Sequence, residues 1–255
     1  MTINKPHRLG WCRQALSTIL GCVWLSILAL PASASVNLDR TRMILEGTER
    51  SVSIMAVNGQ AKPYLLQSWV ETEGGEKMSG PLLALPPLQR IEPNGMALVQ
   101  VTSIGAESTL VQDRESLFYL NVLEVPPKSE RDNVLQIAFQ SRLKLFYRPK
   151  GLSKGTSMPW QRQMTIRVLG PELVFDNPTP YHIVIATLGD SEAAPFAEFS
   201  ELVLKPYSST TYQAPRATQA QVYLRYMDDF GGARPLTYDC RQSSCQLMTP
   251  EEDTK

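Results

Sequence analysis

The sequence predicts an exported all-β protein built from two β-sandwich domains. Short runs rich in Val, Ile, Leu, Tyr and Thr alternate with Gly, Pro, Asn and Asp along most of the 255 residues, a pattern typical of strands and turns. No long stretch carries a convincing helical period, and the first residues have the composition of a removable leader. Many short strands without intervening helices indicate a sandwich or a barrel.

Residues 1–34 are predicted to be a signal peptide. Three basic residues precede an almost uncharged apolar run over residues 15–30, and Ala32-Ser33-Ala34 supplies the small-x-small pattern that a signal peptidase cuts. A membrane anchor is the alternative, but the apolar run is shorter than the roughly 20 residues of a spanning helix. We therefore expect cleavage after Ala34 and export to the periplasm.

Removal of this leader changes the charge and cysteine counts. The chain has 25 basic and 25 acidic residues; the leader takes three of the basic ones, which leaves 22 against 25 and a net charge of −3. This balance argues against nucleic acid as a partner, because nucleic-acid binding favours a basic patch. Cys12 and Cys22 leave with the leader, so Cys240 and Cys245 remain. In an oxidising compartment they are expected to form a disulfide, with free thiols as the alternative.

The usual constellations of an enzyme are missing from the sequence. His182 is the one histidine outside the leader, and it lies in a strand-like run where we expect a partly exposed strand residue. No Gly-x-Ser-x-Gly elbow or glycine-rich phosphate loop is present, and a zinc site would need more ligands than the cysteine pair offers. We expect no catalysis, no cofactor, no metal and no small-molecule substrate.

The strand signals fall into two halves. In the first half they cover residues 51–57, 64–70, 96–102, 117–123 and 134–147, and in the second residues 163–168, 181–186, 201–204, 221–226 and 236–240. Between the halves, residues 149–157 are poor in large apolar side chains and indicate a linker. We predict an N-terminal domain over residues 35–152, a linker region over residues 153–160 and a C-terminal domain over residues 161–255.

Several short motifs follow one another along the mature chain. They are VNLDRTR at residues 36–42, PPLQR at 86–90, DRESLFYLN at 113–121, the Pro126-Pro127 pair, KLFYRP at 144–149, NPTPY at 177–181, DFGG at 229–232 and the cysteine pair. In this order they resemble the periplasmic pilus chaperones of the PapD type over essentially the whole mature chain. The resemblance implies two immunoglobulin-like sandwiches arranged as a boomerang with a cleft between them.

The resemblance also implies a function. Such a chaperone binds pilus subunits, pilins and the tip adhesin, in the periplasm, completes their fold and delivers them to an outer-membrane usher. It lends a strand to a subunit that lacks its last one, which is donor-strand complementation, a form of β-augmentation. Without it, an open sheet edge beside an apolar groove would aggregate. The alternative is an exported structural pilin or adhesin, which would carry its own donor segment and one domain.

The predicted donor strand lies in residues 134–147. Leu135, Ile137 and Phe139 alternate with polar or small residues, so one face offers three large apolar groups. The same alternation suits an ordinary half-buried strand, and the resemblance favours the donor role. Strict alternation places Lys144 on the opposite face, so we expect a bulge or a strong twist near Ser141. The short connection over residues 127–133 resembles the branch of the family that assembles rod-like pili.

The resemblance implies two charged sites as well. Arg42 and Lys144 are expected to bind the C-terminal carboxylate of the subunit, with the arginine as a bidentate donor and the lysine as a compact charge. Glu115, Arg148 and Asp229 are expected to form a charge cluster between the domains. The alternative in both cases is that these are unrelated, solvated surface charges.

Overall fold

The computed structural model describes residues 36–129, 133–152, 159–216 and 220–248. The predicted signal peptide with its cleavage site, and most of the predicted linker, lie outside the described residues. Val36–Lys255 form one compact unit, and its regular structure is almost entirely β. Among the residues that the structure describes, no helix has the length and apolar composition needed to cross a membrane.

The first sandwich packs a four-stranded sheet against a five-stranded sheet. In chain order its elements are β1 (Val36–Leu38), β2 (Arg42–Glu46), β3 (Ser51–Asn58), β4 (Tyr64–Thr72), β5 (Leu82–Leu85), β6 (Leu88–Ile91), β7 (Met96–Ser103), the short helix α1 (Ala106–Thr109), β8 (Ser116–Val125) and β9 (Phe139–Arg148). The strand orders are β1-β3-β7-β5 and β2-β9-β8-β4-β6. Period-2 alternation points one side of each strand inward, and Leu45, Ile54, Leu66, Val99 and Leu145 are fully buried in the core between the sheets.

The second sandwich follows a 3₁₀ turn at Trp160–Gln163. Its strands are β10 (Thr165–Leu169), β11 (Glu172–Asn177), β12 (Ile183–Ser191), β13 (Ala194–Pro195), β14 (Leu202–Leu204), β15 (Ser208–Gln213), β16 (Gln221–Met227), β17 (Ala233–Asp239) and β18 (Gln246–Leu247). One sheet has the order β10-β11-β15, and the other has the order β13-β12-β16-β17-β18, with β14 also paired to β12. The predicted all-β fold with two sandwiches is thereby confirmed.

The predicted disulfide is also confirmed. Cys240 and Cys245 are bonded, with their Cα atoms 4.2 Å apart, and they close the turn between β17 and β18. Both residues are buried against the core of the second sandwich, so the bond fixes the end of the last sheet to that core.

The predicted donor strand begins later than the sequence pattern indicated. The strand starts at Phe139, so Leu135 and Ile137 precede it in a segment without ladder partners among the described residues. From Phe139 to Tyr147 the antiparallel register with β8 runs without a shift. The ladder therefore contains no bulge near Ser141, which leaves a strong twist as the remaining expectation, and the alternation of faces continues through Lys144.

An apolar cluster joins the two sandwiches. Leu117 and Phe146 from the first sandwich and Val184 from the second are buried together. Ile44 and Met227 pack against them, with Tyr119 and Val203. Ile44, Leu117, Tyr119 and Phe146 lie on the outer face of the five-stranded sheet. Val184, Val203 and Met227 from the second sandwich therefore cover part of that face.

Candidate functional site

The outer face of the five-stranded sheet carries three side-by-side pairs along β2 and β9. These two strands are parallel, and the register places Arg42 beside Lys144, then the Ile44 and Phe146 pair, then Glu46 beside Arg148. Neighbours in register point to the same face of a sheet, while the residues between them point into the core. One face therefore has a pair of cations at one end, an apolar pair in the middle and an ion pair at the other end.

At one end of this face Arg148 is bound by carboxylates from both sandwiches. Its side chain is 1% exposed; Nη2 donates to Glu115 Oε1 at 2.9 Å and Nη1 donates to Asp229 Oδ2 at 3.0 Å. Glu46 Oε1 lies 3.3 Å from Nη1. Burial alone lowers the pKa of Arg148, but the hydrogen bonds and charges of Asp229 and Glu115 outweigh it, so the pKa is raised.

Glu115 binds the second sandwich through its other oxygen. Oε2 accepts a hydrogen bond from the backbone N–H of His182 at 2.8 Å and lies 3.0 Å from Nδ1 of the same residue. The interpretation of His182 as a partly exposed strand residue is wrong: it is 8% exposed, and its ring lies 5.5 Å from that of Phe146. Its one sequence signal was its position directly after the NPTPY motif.

Two aromatic rings cover the guanidinium of Arg148. The centroid of Trp160 lies 5.1 Å from its Cζ, and that of Tyr181 lies 5.0 Å away. Cation–π contacts of this kind stabilise a desolvated arginine. Neither residue was assigned this role from the sequence. Trp160 is a lone aromatic residue beside the linker, and Tyr181 entered the sequence analysis only as the last residue of the NPTPY motif.

At the opposite end of the face Arg42 is buried without a partner for its Nε. The residue is 9% exposed, and Nε has no hydrogen-bond acceptor among the described residues. Burial lowers the pKa of Arg42, and the attraction of Glu201 and Asp229 offsets this only in part. The guanidinium borders an open groove of about 550 Å³. The other residues along this groove are Asp39, Arg40, Ile44, Glu46, Glu49, Asp229 and Phe230.

Lys144 lies beside Arg42 but is bound to an internal carboxylate. Its Nζ donates to Oε1 of Glu201, a residue of the second sandwich between β13 and β14. The lysine side chain is 15% exposed and that of Glu201 is 42% exposed. The structure thus brings the two predicted anchor residues together and adds Glu201, which sequence reasoning missed.

The turn between β16 and β17 forms part of the groove around Arg42. The carboxylate of Asp228 accepts hydrogen bonds from the backbone N–H groups of Phe230 at 3.0 Å and Gly232 at 2.7 Å. Gly231 has φ +85°, and a Cβ there would lie 2.8 Å from Oγ1 of Thr41, so a side chain would strain this close approach. The turn holds the ring of Phe230 94% exposed at the edge of the groove.

The predicted donor residues are exposed in the isolated chain. Leu135 is 84% exposed, Ile137 is 56% exposed and Phe139 is 59% exposed. On the side of β2, the ladder of β9 begins only at Lys144. The stretch from Phe139 to Leu143 therefore pairs with β8 on one side, and on its other side it does not pair with β2.

A metal centre is not formed by the part of the chain that is described. Within those ranges no three His, Cys, Asp or Glu side chains come close enough together to hold an ion. The chemistry that the site offers is the binding of a carboxylate by the paired cations and the pairing of an extended segment with β9.

Comparisons with known proteins identify the same family of pilus-assembly chaperones that the sequence motifs resemble. Family models match residues 35–153, as the N-terminal domain of the PapD pili and flagellar-assembly chaperones, and residues 159–238, as the C-terminal domain of the PapD pili assembly chaperones. The chain is 40% identical to the chaperone protein PmfD of Proteus mirabilis over 90% of this chain and 94% of the relative. It is 41% identical to the chaperone protein PapD of Escherichia coli over 85% of this chain and 91% of that protein.

Solved structures give the same result. A chain from the Salmonella enterica complex of the SafA pilin with the SafB chaperone matches with a TM-score of 0.70 and 25% identity, over 82% of this chain and 98% of that one. The YadV chaperone matches with a TM-score of 0.64 and 30% identity, over 80% of this chain and 98% of that one.

Proposed function

This chain belongs to the family of PapD-type pilus-assembly chaperones, and on that premise we propose that it binds pilus subunits and lends them a strand. The subunits are pilins and a tip adhesin, and the complex is delivered to an outer-membrane usher. The observation that carries the proposal is the buried Arg42, whose Nε has no acceptor among the described residues and which lies beside Lys144. A buried N–H of a guanidinium without an acceptor is costly, and an incoming carboxylate would supply one.

The proposed ligand of Arg42 and Lys144 is the C-terminal carboxylate of the subunit. Every subunit has this group whatever its sequence, so its capture gives a general handle. A guanidinium binds a carboxylate with two parallel hydrogen bonds, and the ammonium of lysine adds a compact charge. Fixing the last atom of the subunit chain also fixes the register of any strand that precedes it.

The position of β2 supports the way in which the strand is lent. Because β2 runs parallel to β9 and starts at Arg42, a subunit strand that ends at Arg42 can take the place beside β9 from Phe139 to Leu143. The segment with Leu135 and Ile137 then has apolar side chains to insert into the subunit. Each such side chain contributes about 1.5–3 kcal/mol on burial, before the cost of ordering the segment.

We propose that the cluster of Glu115, Arg148 and Asp229 holds the two sandwiches at the angle that the subunit requires. Its support is the sharing of Arg148 between Glu115 of the first sandwich and Asp229 of the second. A buried arginine with several acceptors is strongly directional, so it resists rotation between the sandwiches better than the apolar cluster alone.

We propose that the chain is exported to the periplasm and cleaved after Ala34. The mature chain then has one domain over residues 35–152, a linker over residues 153–160 and a second domain over residues 161–255. Sequencing the N-terminus of the periplasmic protein should give Ser35, and limited proteolysis should cut first within residues 153–160. The activity itself needs only ion pairs and backbone hydrogen bonds, so we propose that the chain is not an enzyme.

The direct test is co-expression of the chain with candidate pilins in a bacterial periplasm, followed by purification of the complexes. We expect Arg42→Ala and Lys144→Ala to lower recovery of the pilin more than tenfold, since losing one partner of a buried charge contact costs about 2–5 kcal/mol. Arg90→Ala, at a cation that is 64% exposed, is the matched control and should leave recovery unchanged. Normal recovery with both anchor variants at normal chaperone levels would contradict the proposed anchor.

The donor segment needs its own pair of variants. Leu135→Asp and Ile137→Asp should lower recovery of the pilin, because a carboxylate cannot be buried in an apolar groove without a partner. Gln136→Asp introduces the same charge on the alternate side of the segment and should have little effect. Equal losses from all three variants would show that the charge, and not the apolar face, matters.

A further inference from the structure

Lys144 has a bound carboxylate before any subunit arrives. Oε1 of Glu201 accepts a hydrogen bond from its Nζ, across the boundary between the sandwiches. The ion pair is only partly shielded, because the Glu201 side chain is 42% exposed. A contact of this kind is weak and exchangeable.

Glu201 acts on the neighbouring cation as well. Among the charged groups that favour the ionised form of Arg42, Glu201 has the largest effect. The nearby acidic side chains are engaged elsewhere: Asp229 is bound to Arg148, and Asp228 is bound to Arg234 and to its own turn. Glu201 is thus the acidic side chain on this cation pair that can move away without breaking a buried network.

From this arrangement we infer that Glu201 is an internal stand-in for the C-terminal carboxylate of the subunit. The side chain of glutamate ends in the same chemical group as a peptide chain. It neutralises Lys144 in the free chaperone, and the incoming carboxylate displaces it. The residue therefore tunes affinity: binding exchanges one ion pair for another at Lys144, and the net gain comes from Arg42.

The inference rests on the proposed anchor and deepens it. Its consequence is that Glu201 opposes capture and favours release, because the same carboxylate returns to Lys144 when the subunit leaves. The alternative is that Glu201 is a positioning residue that orients Lys144 toward the ligand. Substitution of Glu201 would then lower the affinity for the carboxylate.

The test measures binding of the purified mature chain to a labelled peptide of about ten alternating valine and threonine residues, long enough for one strand. The peptide is made with a free C-terminal carboxylate and with a C-terminal amide. We expect Glu201→Gln to bind the free acid about fivefold more tightly, which corresponds to about 1 kcal/mol, and to bind the amide as the wild type does. Glu198→Gln removes the same charge from an exposed position in the same loop and should change neither affinity.

The two failures are distinguishable. If the wild type binds the acid and the amide equally, the carboxylate anchor is wrong, and the inference falls with it. If the wild type prefers the acid but Glu201→Gln binds it with unchanged or lower affinity, the anchor stands and the displacement of Glu201 is wrong. If Glu198→Gln tightens binding as much as Glu201→Gln does, the effect is one of net charge, and the inference is again overturned.

Discussion

Arg148 and Arg42 are both buried on the same face of the same sheet, yet they differ in their hydrogen-bond partners. Arg148 is 1% exposed and hydrogen-bonded to Glu115 and Asp229, and its pKa is raised because these partners outweigh its burial. Arg42 is 9% exposed, its Nε has no acceptor among the described residues, and burial lowers its pKa. The comparison supports the proposal that Arg148, with its internal acceptors, is structural, and that Arg42, whose Nε has none among the described residues, is the cation that binds a ligand.

The distance between the two ends allows them to be tested separately. Arg42 and Glu46 lie four residues apart on β2, which is about 13 Å at the rise of a strand. The apolar pair of Ile44 and Phe146 lies between them. Substitutions so far apart are additive within about 0.5 kcal/mol when they share no partner. Asp229 attracts both guanidinium groups, so a larger deviation from additivity would measure the coupling through this residue.

The largest expected difference is in stability. Arg148→Ala should lower the free energy of unfolding by about 3–5 kcal/mol, because it leaves buried carboxylates without their cation. Arg42→Ala should change the free energy of unfolding by less than about 1 kcal/mol, because the Nε of Arg42 has no hydrogen bond among the described residues that the substitution would break. Urea unfolding of the mature chain, followed by tryptophan fluorescence, measures both values. Equal losses of unfolding free energy for the two variants would contradict the distinction between a structural Arg148 and a ligand-binding Arg42.

A smaller difference is expected within the cluster around Arg148. Glu115 has a side chain that is 2% exposed and also binds His182, so Glu115→Gln should cost about 2 kcal/mol. Glu46 is 22% exposed, so Glu46→Gln should cost less than about 1 kcal/mol. The same urea titrations rank the two. A larger loss of stability for Glu46→Gln than for Glu115→Gln would mean that Glu46, and not Glu115, is the main acceptor of Arg148.

The smallest effect concerns the turn that connects the two ends, since it carries both Asp229 and Phe230. Burial tends to raise the pKa of Asp228, but hydrogen bonds from Arg234 and from the N–H groups of Gly232 and Phe230 lower it below its ordinary 3.8. A carboxylate whose pKa is lowered by folding contributes stability above its ordinary value, and this contribution is lost as the pH falls through the lowered pKa.

Asp228→Asn should therefore cost about 1 kcal/mol at pH 7. The difference from the wild type should shrink as the pH falls below 3.8. Unfolding curves at several pH values measure this, with the exposed Asp113→Asn as a control for general charge effects. A difference that stays constant with pH would mean that the ionised carboxylate does not hold the turn.

Sequence patterns located most of the strands. The family resemblance brought forward the paired cations and the cluster of Glu115, Arg148 and Asp229, but not the carboxylate partner of Lys144 or the histidine partner of Glu115. Alternation predicted most strands, and the motifs brought forward Arg42, Lys144 and Arg148. The contacts of Glu201 and His182 were not predicted, because they join residues 57 and 67 positions apart in the chain. A local sequence pattern does not encode such a pairing. The start of β9 was misplaced for a related reason: the alternation over residues 134–138 is typical of a strand, but none of the described residues pairs with it in a ladder.

The central claim is that Arg42 receives the carboxylate of a subunit while Arg148 keeps its internal partners. The most direct measurement is NMR of the arginine Nε–H groups in the isotope-labelled mature chain, titrated with the valine–threonine peptide acid. The signal of Arg42 is identified by its loss in Arg42→Lys. Glu115→Gln replaces the charged acceptor of the Arg148 Nε–H by a neutral amide and therefore shifts the signal of Arg148. We expect the Arg42 signal to move strongly with the acid and little with the amide, while that of Arg148 stays in place. An Arg42 signal that does not respond, or a response confined to Arg148, would contradict the account.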